Sequence, residues 1–335
     1  MKTVQAYAAK DSHSPLELFD FNLPEIGPEQ VDIRVEYCGI CHSDLSMLRN
    51  EWGMTSYPLV PGHEVVGRVE EVGSMVKTLK PGDRVGLGWF SGSCMTCQQC
   101  LGGDQNLCSQ GEGTIVGRHG GFANRVRSHW IWTTPLPDSL SGETAGPLFC
   151  GGITVFSPIL EFGVRPTDRV GVIGIGGLGH LALQFLNKWG CEVTAFTSTP
   201  DKVDELSALG AHRIVNSRDS SALKSEAGKF DFILSTVAVP MEWSDYINAL
   251  APRGRLHTVG AVSEPIPVGA FPLIMAQRSI SGSPLGSPST TVKMLEFCAR
   301  HQISPTVQEF PMAKVNDAIE LLEHGSPRYR IVLKA

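Results

Sequence analysis

The sequence has no apolar run long enough to cross a bilayer, which takes about 20 helical residues. It has no surplus of positive charge either: 28 Lys and Arg face 34 Asp and Glu, for a net charge of −6. A mildly acidic chain is poorly matched to nucleic acid or to an anionic membrane surface. The first residues, Met1-Lys-Thr-Val-Gln-Ala-Tyr, lack the apolar h-region of a secretory leader. No internal repeat or low-complexity tract stands out. The nine cysteines are odd in number, which disfavours a disulfide framework. These absences predict a soluble, cytoplasmic, globular protein with no nucleic-acid or membrane partner.

What is present is enough for ordinary cores: 335 residues, 42% of them apolar. At about 100–200 residues per domain, that length predicts two domains. Residues 1–149 read as turn-rich and β-rich. Val31–Tyr37 alternates apolar and polar residues, as a half-buried strand should. Val65–Val72 is similar, and Pro81-Gly82-Asp83 is a turn leading into Arg84–Gly88. Short strands broken by Gly and Pro predict a compact β-barrel-like domain.

The pattern changes near residue 150. Strands are predicted at Arg169–Gly174, Glu192–Thr197, Arg213–Asn216, Phe230–Ser235, Arg255–Gly260 and Ser279–Gly282, with helices at Leu178–Trp189 and Asp201–Leu209. Strands alternating with helices give a parallel, doubly wound sheet, so the fold class is α/β. The helix Thr290–Arg300 and the strand Arg330–Leu333 fall outside that alternation and are expected to return to the first domain. The expected domains are therefore 1–149 with 286–335, and 150–285.

Four cysteines carry the densest signal. Cys94, Cys97 and Cys100 occur at every third position, and Cys108 follows after seven residues. Four thiolates with no open position make a closed, structural zinc site. Two disulfides are disfavoured without a secretory leader, because cytosolic thiols stay reduced. An iron–sulfur cluster is a further alternative.

Gly174-Ile-Gly176-Gly177-Leu178-Gly179 fits the G-x-G-x-x-G fingerprint, and it follows an apolar strand and opens a helix. The first glycine permits the turn, the second admits a pyrophosphate, and the third lets helix and strand pack closely. An NAD site would place Asp or Glu about 20 residues further on. This chain has Thr197, Ser198, Thr199 and, beyond Pro200 and Asp201, Lys202. Hydroxyls and a lysine suit a 2′-phosphate, whereas a carboxylate would repel it. NADP(H) is the expected dinucleotide, with Asp201 a first-turn helix acid.

Three further segments hold ligand-type residues: Cys38-Gly-Ile-Cys41-His42-Ser43-Asp44, Gly62-His63-Glu64 and Phe149-Cys150-Gly151-Gly152. Catalytic zinc needs three protein ligands and one open position, and Cys41, His63 and Cys150 would make a Cys₂His set. Read one at a time, each is explained as well by a buried thiol or a turn histidine. Cys38, Cys191 and Cys298 are read as buried packing residues.

These segments occur in the order of the zinc-dependent medium-chain dehydrogenases, which the chain resembles along essentially its whole length. The details most resemble the cinnamyl-alcohol-dehydrogenase-like branch, and within it bacterial NADPH-dependent broad-range aldehyde reductases. The likeness extends through Gly39–Ser46, Glu51-Trp52-Gly53 and Arg328-Tyr329-Arg330. The resemblance implies a Rossmann domain and a β-rich, GroES-like catalytic domain, with the active site in a cleft between them. It implies two zinc ions per chain, one on Cys41, His63 and Cys150 and one on the four-cysteine lobe. It makes Glu64 a carboxylate able to approach the catalytic metal, Asp44 an orienting carboxylate, and Ser43 the hydroxyl that passes a proton. His42 and Arg330 would face the pyrophosphate, Thr154 the nicotinamide, and Trp52 and Trp89 the substrate. Many relatives carry a histidine where this chain has Ser46. The implied reaction interconverts aldehydes and primary alcohols with NADP(H), in a homodimer. The alternatives are a zinc-free quinone or enone reductase, an NAD-dependent alcohol or polyol dehydrogenase, and a non-catalytic dinucleotide-binding redox sensor. The ligand set argues against the first and last, and the Thr197–Lys202 segment against the second.

Overall fold

The structure is a computed structural model and describes residues 2–199, 202–325 and 327–335. Period-two alternation builds the first strands, because successive side chains on a strand point to opposite faces. In β1 (Lys2–Ala8), Val4, Ala6 and Ala8 turn inward while Thr3 and Gln5 face water. β1 pairs antiparallel with β2 (Glu17–Leu23).

A larger sheet is built on β3 (Gln30–Ile40), β4 (Glu64–Val72) and β5 (Arg84–Leu87). The short β6 (Phe90–Gly92) and β7 (Glu112–Gly113) pair with each other. β8 (Arg125–His129) adds to β3, and β9 (Thr134–Pro135) adds to β5. Val31, Ile33 and Val35 of β3 enter a core with Leu59, Phe122 and Leu333. The alternation expected for β3 breaks at Asp32, which is completely buried. Arg127 holds it there, with Nε and Nη2 at 2.6 and 3.1 Å from its two oxygens. A buried carboxylate of this kind needs its paired donor.

The second half of the chain forms β10 (Arg169–Ile173), β11 (Glu192–Thr197), β12 (Arg213–Asn216), β13 (Phe230–Ser235), β14 (Leu250–Thr258) and β15 (Ser279–Gly282). Every pairing among them is parallel, in the order β12-β11-β10-β13-β14-β15. That is the order of a doubly wound dinucleotide fold. Val170, Val172, Val193, Ala195 and Ile233 are completely buried, as expected where helices cover both faces of a parallel sheet. The helix Gly179–Trp189 packs Leu181, Ala182, Phe185 and Leu186 inward. It stops at Gly190, whose φ of 106° is the left-handed C-cap conformation.

The chain then returns through the helix Pro288–His301 to β16 (Val307–Pro311) and β17 (Arg330–Lys334). The larger sheet is completed in the order β16-β17-β3-β4-β5-β9, with β17 antiparallel to β3. Contacts divide the chain into two units, Met1–Ile153 with Gly286–Ala335, and Thr154–Leu285. Cys150 therefore falls in the first unit, on the other side of the border from the sequence expectation, while Thr154 opens the second. Among the described residues, no helix is long and apolar enough to cross a membrane.

Candidate active site

Cys41 follows the last residue of β3 and begins the helix His42–Leu48. Asp44, inside the first turn of that helix, is completely buried and accepts three hydrogen bonds. They come from Cys41 N–H at 2.9 Å, Gly62 N–H at 2.8 Å and the His63 ring Nδ1 at 2.9 Å. The last contact fixes both the imidazole orientation and its tautomer, as a carboxylate behind a metal-binding histidine does. It leaves His63 Nε2 buried and without a hydrogen-bond partner.

Two sulfurs converge on that nitrogen. Cys41 Sγ and Cys150 Sγ lie 3.9 Å apart, and ligand atoms of Cys41, His63, Glu64 and Cys150 all fall within 4.8 Å of one another. A tetrahedral zinc ion with Zn–S bonds of about 2.3 Å separates two sulfurs by about 3.8 Å. The donor set and its spacing fit one such ion. The hydrogen bond that the two thiols share pulls Cys41 well below its ordinary pKa and lifts Cys150 well above it. Burial opposes charge on His63, but Asp44 and Cys41 together outweigh it and raise the imidazole well above its usual value.

Glu64 opens β4, completely buried, and one of its oxygens pairs with Arg330 of β17. Its second oxygen has no partner. Burial pushes Glu64 up to about 7, against the opposing charge of Arg330. Gly39 makes the arrangement possible, since a Cβ there would lie 2.0 Å from Glu64 Oε2. Arg330 also donates to the Ile40 carbonyl at 3.4 Å, and its Nε has no partner. Ser43 is half-buried with Oγ 3.8 Å from Cys41 Sγ, His42 is exposed, and Ser46 is buried in the same helix. Trp89 stands edge-on to His63 at 5.0 Å, and Trp52 edge-on to Trp89 at 5.9 Å.

The cysteine lobe closes on itself. Cys94 Sγ lies 3.9 Å from Cys100 Sγ and 3.5 Å from Cys108 Sγ, and Cys97 Sγ lies 3.9 Å from Cys108 Sγ. These separations are too long for disulfides. They match four thiolates around a single tetrahedral ion. Backbone N–H groups of Cys97 and Gln110 point at Cys94 Sγ and Cys108 Sγ from 3.3 and 3.4 Å, which favours the thiolate form. Donors from Thr96 and Cys97 lower Cys94 to about 6.

In the second unit a cavity of about 600 Å³ opens where β10, β11 and β12 end. Its floor is Gly174–Leu178. Gly174 has a φ of 84°, no atom lies within 4 Å of a Cβ built at Gly176, and a Cβ at Gly179 would sit 2.0 Å from the Gly174 carbonyl oxygen. The three glycines thus turn the chain, leave room for a ligand, and press helix against strand. Thr197, Ser198 and Thr199 line one end. The Thr197 and Thr199 hydroxyls are 3.2 Å apart. Lys202 is described but does not line the cavity, and Asp201 lies outside the described residues. Thr154 is half-buried in the helix Gly151–Glu161. Two lining residues escape sequence reasoning: Thr236, which donates to the Gly174 carbonyl at 2.7 Å, and Arg218. Both follow strand ends, and the rule that ligands sit at the carboxyl ends of parallel strands could have found them.

Comparison with known proteins agrees with this geometry. Residues 27–138 match the alcohol dehydrogenase GroES-like domain, and residues 177–300 match the zinc-binding dehydrogenase family. The chain is 53% identical to aldehyde reductase AdhA of Synechocystis sp., over 98% of each sequence. It is 39% identical to a probable cinnamyl alcohol dehydrogenase of Pinus taeda, over 99% of this chain and 96% of the relative. Among solved structures, a cinnamyl alcohol dehydrogenase of Sorghum bicolor superposes with a TM-score of 0.95 at 37% identity, covering 99% of this chain and 98% of the other. The Helicobacter pylori enzyme solved with NADP(H) gives a TM-score of 0.91 at 29% identity, over 99% and 98%. Full-length likeness in both sequence and fold makes this chain a member of the zinc-binding alcohol dehydrogenases, the medium-chain dehydrogenase family.

Proposed function

We propose that the protein is an NADP(H)-dependent alcohol dehydrogenase that works as an aldehyde reductase, with two zinc ions per chain. Cys41, His63 and Cys150 would hold the catalytic ion, and Cys94, Cys97, Cys100 and Cys108 the structural one. The observation that carries this reading is His63 Nε2, a buried nitrogen with no hydrogen bond, facing two converging sulfurs. An unsatisfied buried polar atom costs about 1–3 kcal/mol, a cost removed when a metal takes the lone pair.

Held by Cys41, His63 and Cys150, a zinc ion would supply Lewis-acid chemistry toward a carbonyl oxygen. The nicotinamide supplies the hydride. The chain's own residues do the rest. Asp44 fixes His63 in one tautomer, with Nε2 turned toward the two sulfurs. Ser43 holds at Oγ the proton that the product alcohol gains. Glu64 keeps one oxygen free beside the ligands, while Arg330 anchors the other. The edge-on pair Trp52 and Trp89 gives the substrate an apolar, aromatic wall.

NADP(H) is supported by a cavity lined with Thr197, Ser198 and Thr199 and, among the described residues, by no carboxylate. The relatives named aldehyde reductase and cinnamyl alcohol dehydrogenase support aldehydes as the substrate class. A homodimer is supported by the edge position of β15 and by Phe271, Ile274 and Met275, which are 71%, 70% and 68% exposed. Nine cysteines, none in a disulfide, support a reducing, cytoplasmic setting. NADPH and NADH oxidation with cinnamaldehyde, benzaldehyde and butanal tests the reading. It expects reduction with a higher kcat/KM for NADPH. Equal or better use of NADH, or no aldehyde reduced, would overturn it.

A further inference from the structure

We infer that Arg218 is the cation that reads the 2′-phosphate of the dinucleotide and so sets the preference for NADP(H). The inference rests on the NADP(H) reading above and adds a residue to it. Arg218 is the only cation among the described residues lining the cavity at the strand ends. Among the described residues, no Asp or Glu lines that cavity. The guanidinium makes no ion pair among the described residues, and the residue is exposed. Its charge is therefore available.

The sheet fixes where that charge sits. β11 and β12 run parallel, with Thr197 opposite Asn216 in register. Neighbouring strands lie about 4.8 Å apart. Ser217 N–H donates to the Thr197 carbonyl at 2.9 Å, which ties the segment after β12 to the end of β11. Arg218 N–H donates to Asn216 Oδ1 at 3.0 Å and holds the following turn. Arg218 thus leaves the sheet beside Thr197, Ser198 and Thr199, where the second strand of a dinucleotide fold meets the ribose. The adjacent Asp219 does not compete: its carboxylate accepts the Ser221 and Ala222 N–H groups at 2.9 and 3.1 Å and caps the next helix. A guanidinium suits a phosphate better than an ammonium does, because two N–H groups can meet two oxygens at once.

Calorimetric titration with 2′,5′-ADP and with 5′-AMP tests this, on the wild type, Arg218→Ala, Arg218→Lys and Lys202→Ala. The wild type is expected to prefer 2′,5′-ADP. Arg218→Ala should weaken 2′,5′-ADP by about tenfold or more, the size of a charge-assisted hydrogen bond, and 5′-AMP by less than about twofold. Arg218→Lys should fall between, and the loss should shrink as salt is added. Equal weakening of both ligands by Arg218→Ala would overturn the inference, because it would mean contact with the adenine instead. Unchanged 2′,5′-ADP binding in Arg218→Ala, or loss of the preference only in Lys202→Ala, would overturn it too. A wild type that does not discriminate sinks the NADP(H) reading and the inference with it. Discrimination that survives Arg218→Ala sinks the inference alone. Thermal melting of the variants checks the fold, which an exposed, unpaired side chain should not disturb.

Discussion

Replacing Asp44 by asparagine tests the support beneath the proposed metal ligands without changing its size. The wild-type carboxylate uses both oxygens: one accepts from Gly62 N–H and the His63 ring, the other from Cys41 N–H. An asparagine oxygen can take over the first pair. Its NH₂ then meets Cys41 N–H donor to donor. One buried donor without a partner costs about 1–3 kcal/mol. The negative charge behind the imidazole is lost as well, and losing such a partner weakens metal binding by about 10–100-fold, or about 1.4–2.8 kcal/mol. The first figure applies to folding and the second to metal binding, so the two effects are read by separate assays. The assay is zinc titration against a chromogenic chelator, together with urea unfolding of the metal-free protein. Asp44→Asn should bind one of two zinc ions about 10–100-fold more weakly and unfold at lower urea. Asp44→Ala should lose on the order of 3 kcal/mol or more, since three donors are stranded. An Asp44→Asn protein with both zinc ions as tight as in the wild type, and an unchanged urea midpoint, would refute the reasoning.

Cys97→Ser should lower zinc content by one ion per chain and reduce thermal stability, while the remaining ion stays bound; a chain that keeps both ions would contradict the closed lobe. Trp89→Ala should cut kcat/KM for cinnamaldehyde about tenfold more than for butanal, because an aromatic wall beside His63 is lost; equal losses would remove Trp89 from the pocket. Glu226 gives a pH test. Burial raises it, but Arg213 at 2.7 Å and Lys229 at 3.2 Å outweigh burial and hold it below its ordinary value of 4.5. A lowered folded-state pKa stabilises above the unfolded value and is lost as pH falls through the folded one. The stability gap between wild type and Glu226→Gln should therefore be full at pH 7 and shrink below about pH 4.5; a gap independent of pH would contradict the pairing.

The second unit was the more legible in the sequence. Arg213–Asn216, Phe230–Ser235 and Ser279–Gly282 are strands between the residues expected, and Phe230–Ser235 is the buried apolar run that a central parallel strand requires. β14 begins at Leu250, earlier than expected, since Pro252, Arg253 and Gly254 break the apolar run within it. The helices Ser220–Ser225 and Trp243–Ala249 are too short for a 3.6-residue period to show, and the strand pair β1 and β2 lies outside the segments whose alternation was read. In the first unit, the proposed metal-ligand residues were visible as residue types, but their convergence was not. Cys41 and Cys150 are 109 positions apart, and Glu64 and Arg330 are 266 apart. Only the antiparallel register of β17, β3 and β4 brings the last two together. Asp32 is another case, since its burial depends on Arg127 95 positions away. Arg218 went unseen because its meaning lies in the alignment of two strand ends rather than in a motif.

The most direct test of the account is metal content measured beside turnover in the wild type and in Cys150→Ala. The wild-type chain should hold two zinc ions. The variant should hold one, remain folded and show no NADPH-dependent reduction of cinnamaldehyde. A Cys150→Ala protein that has lost that ion and still reduces the aldehyde would contradict the central claim.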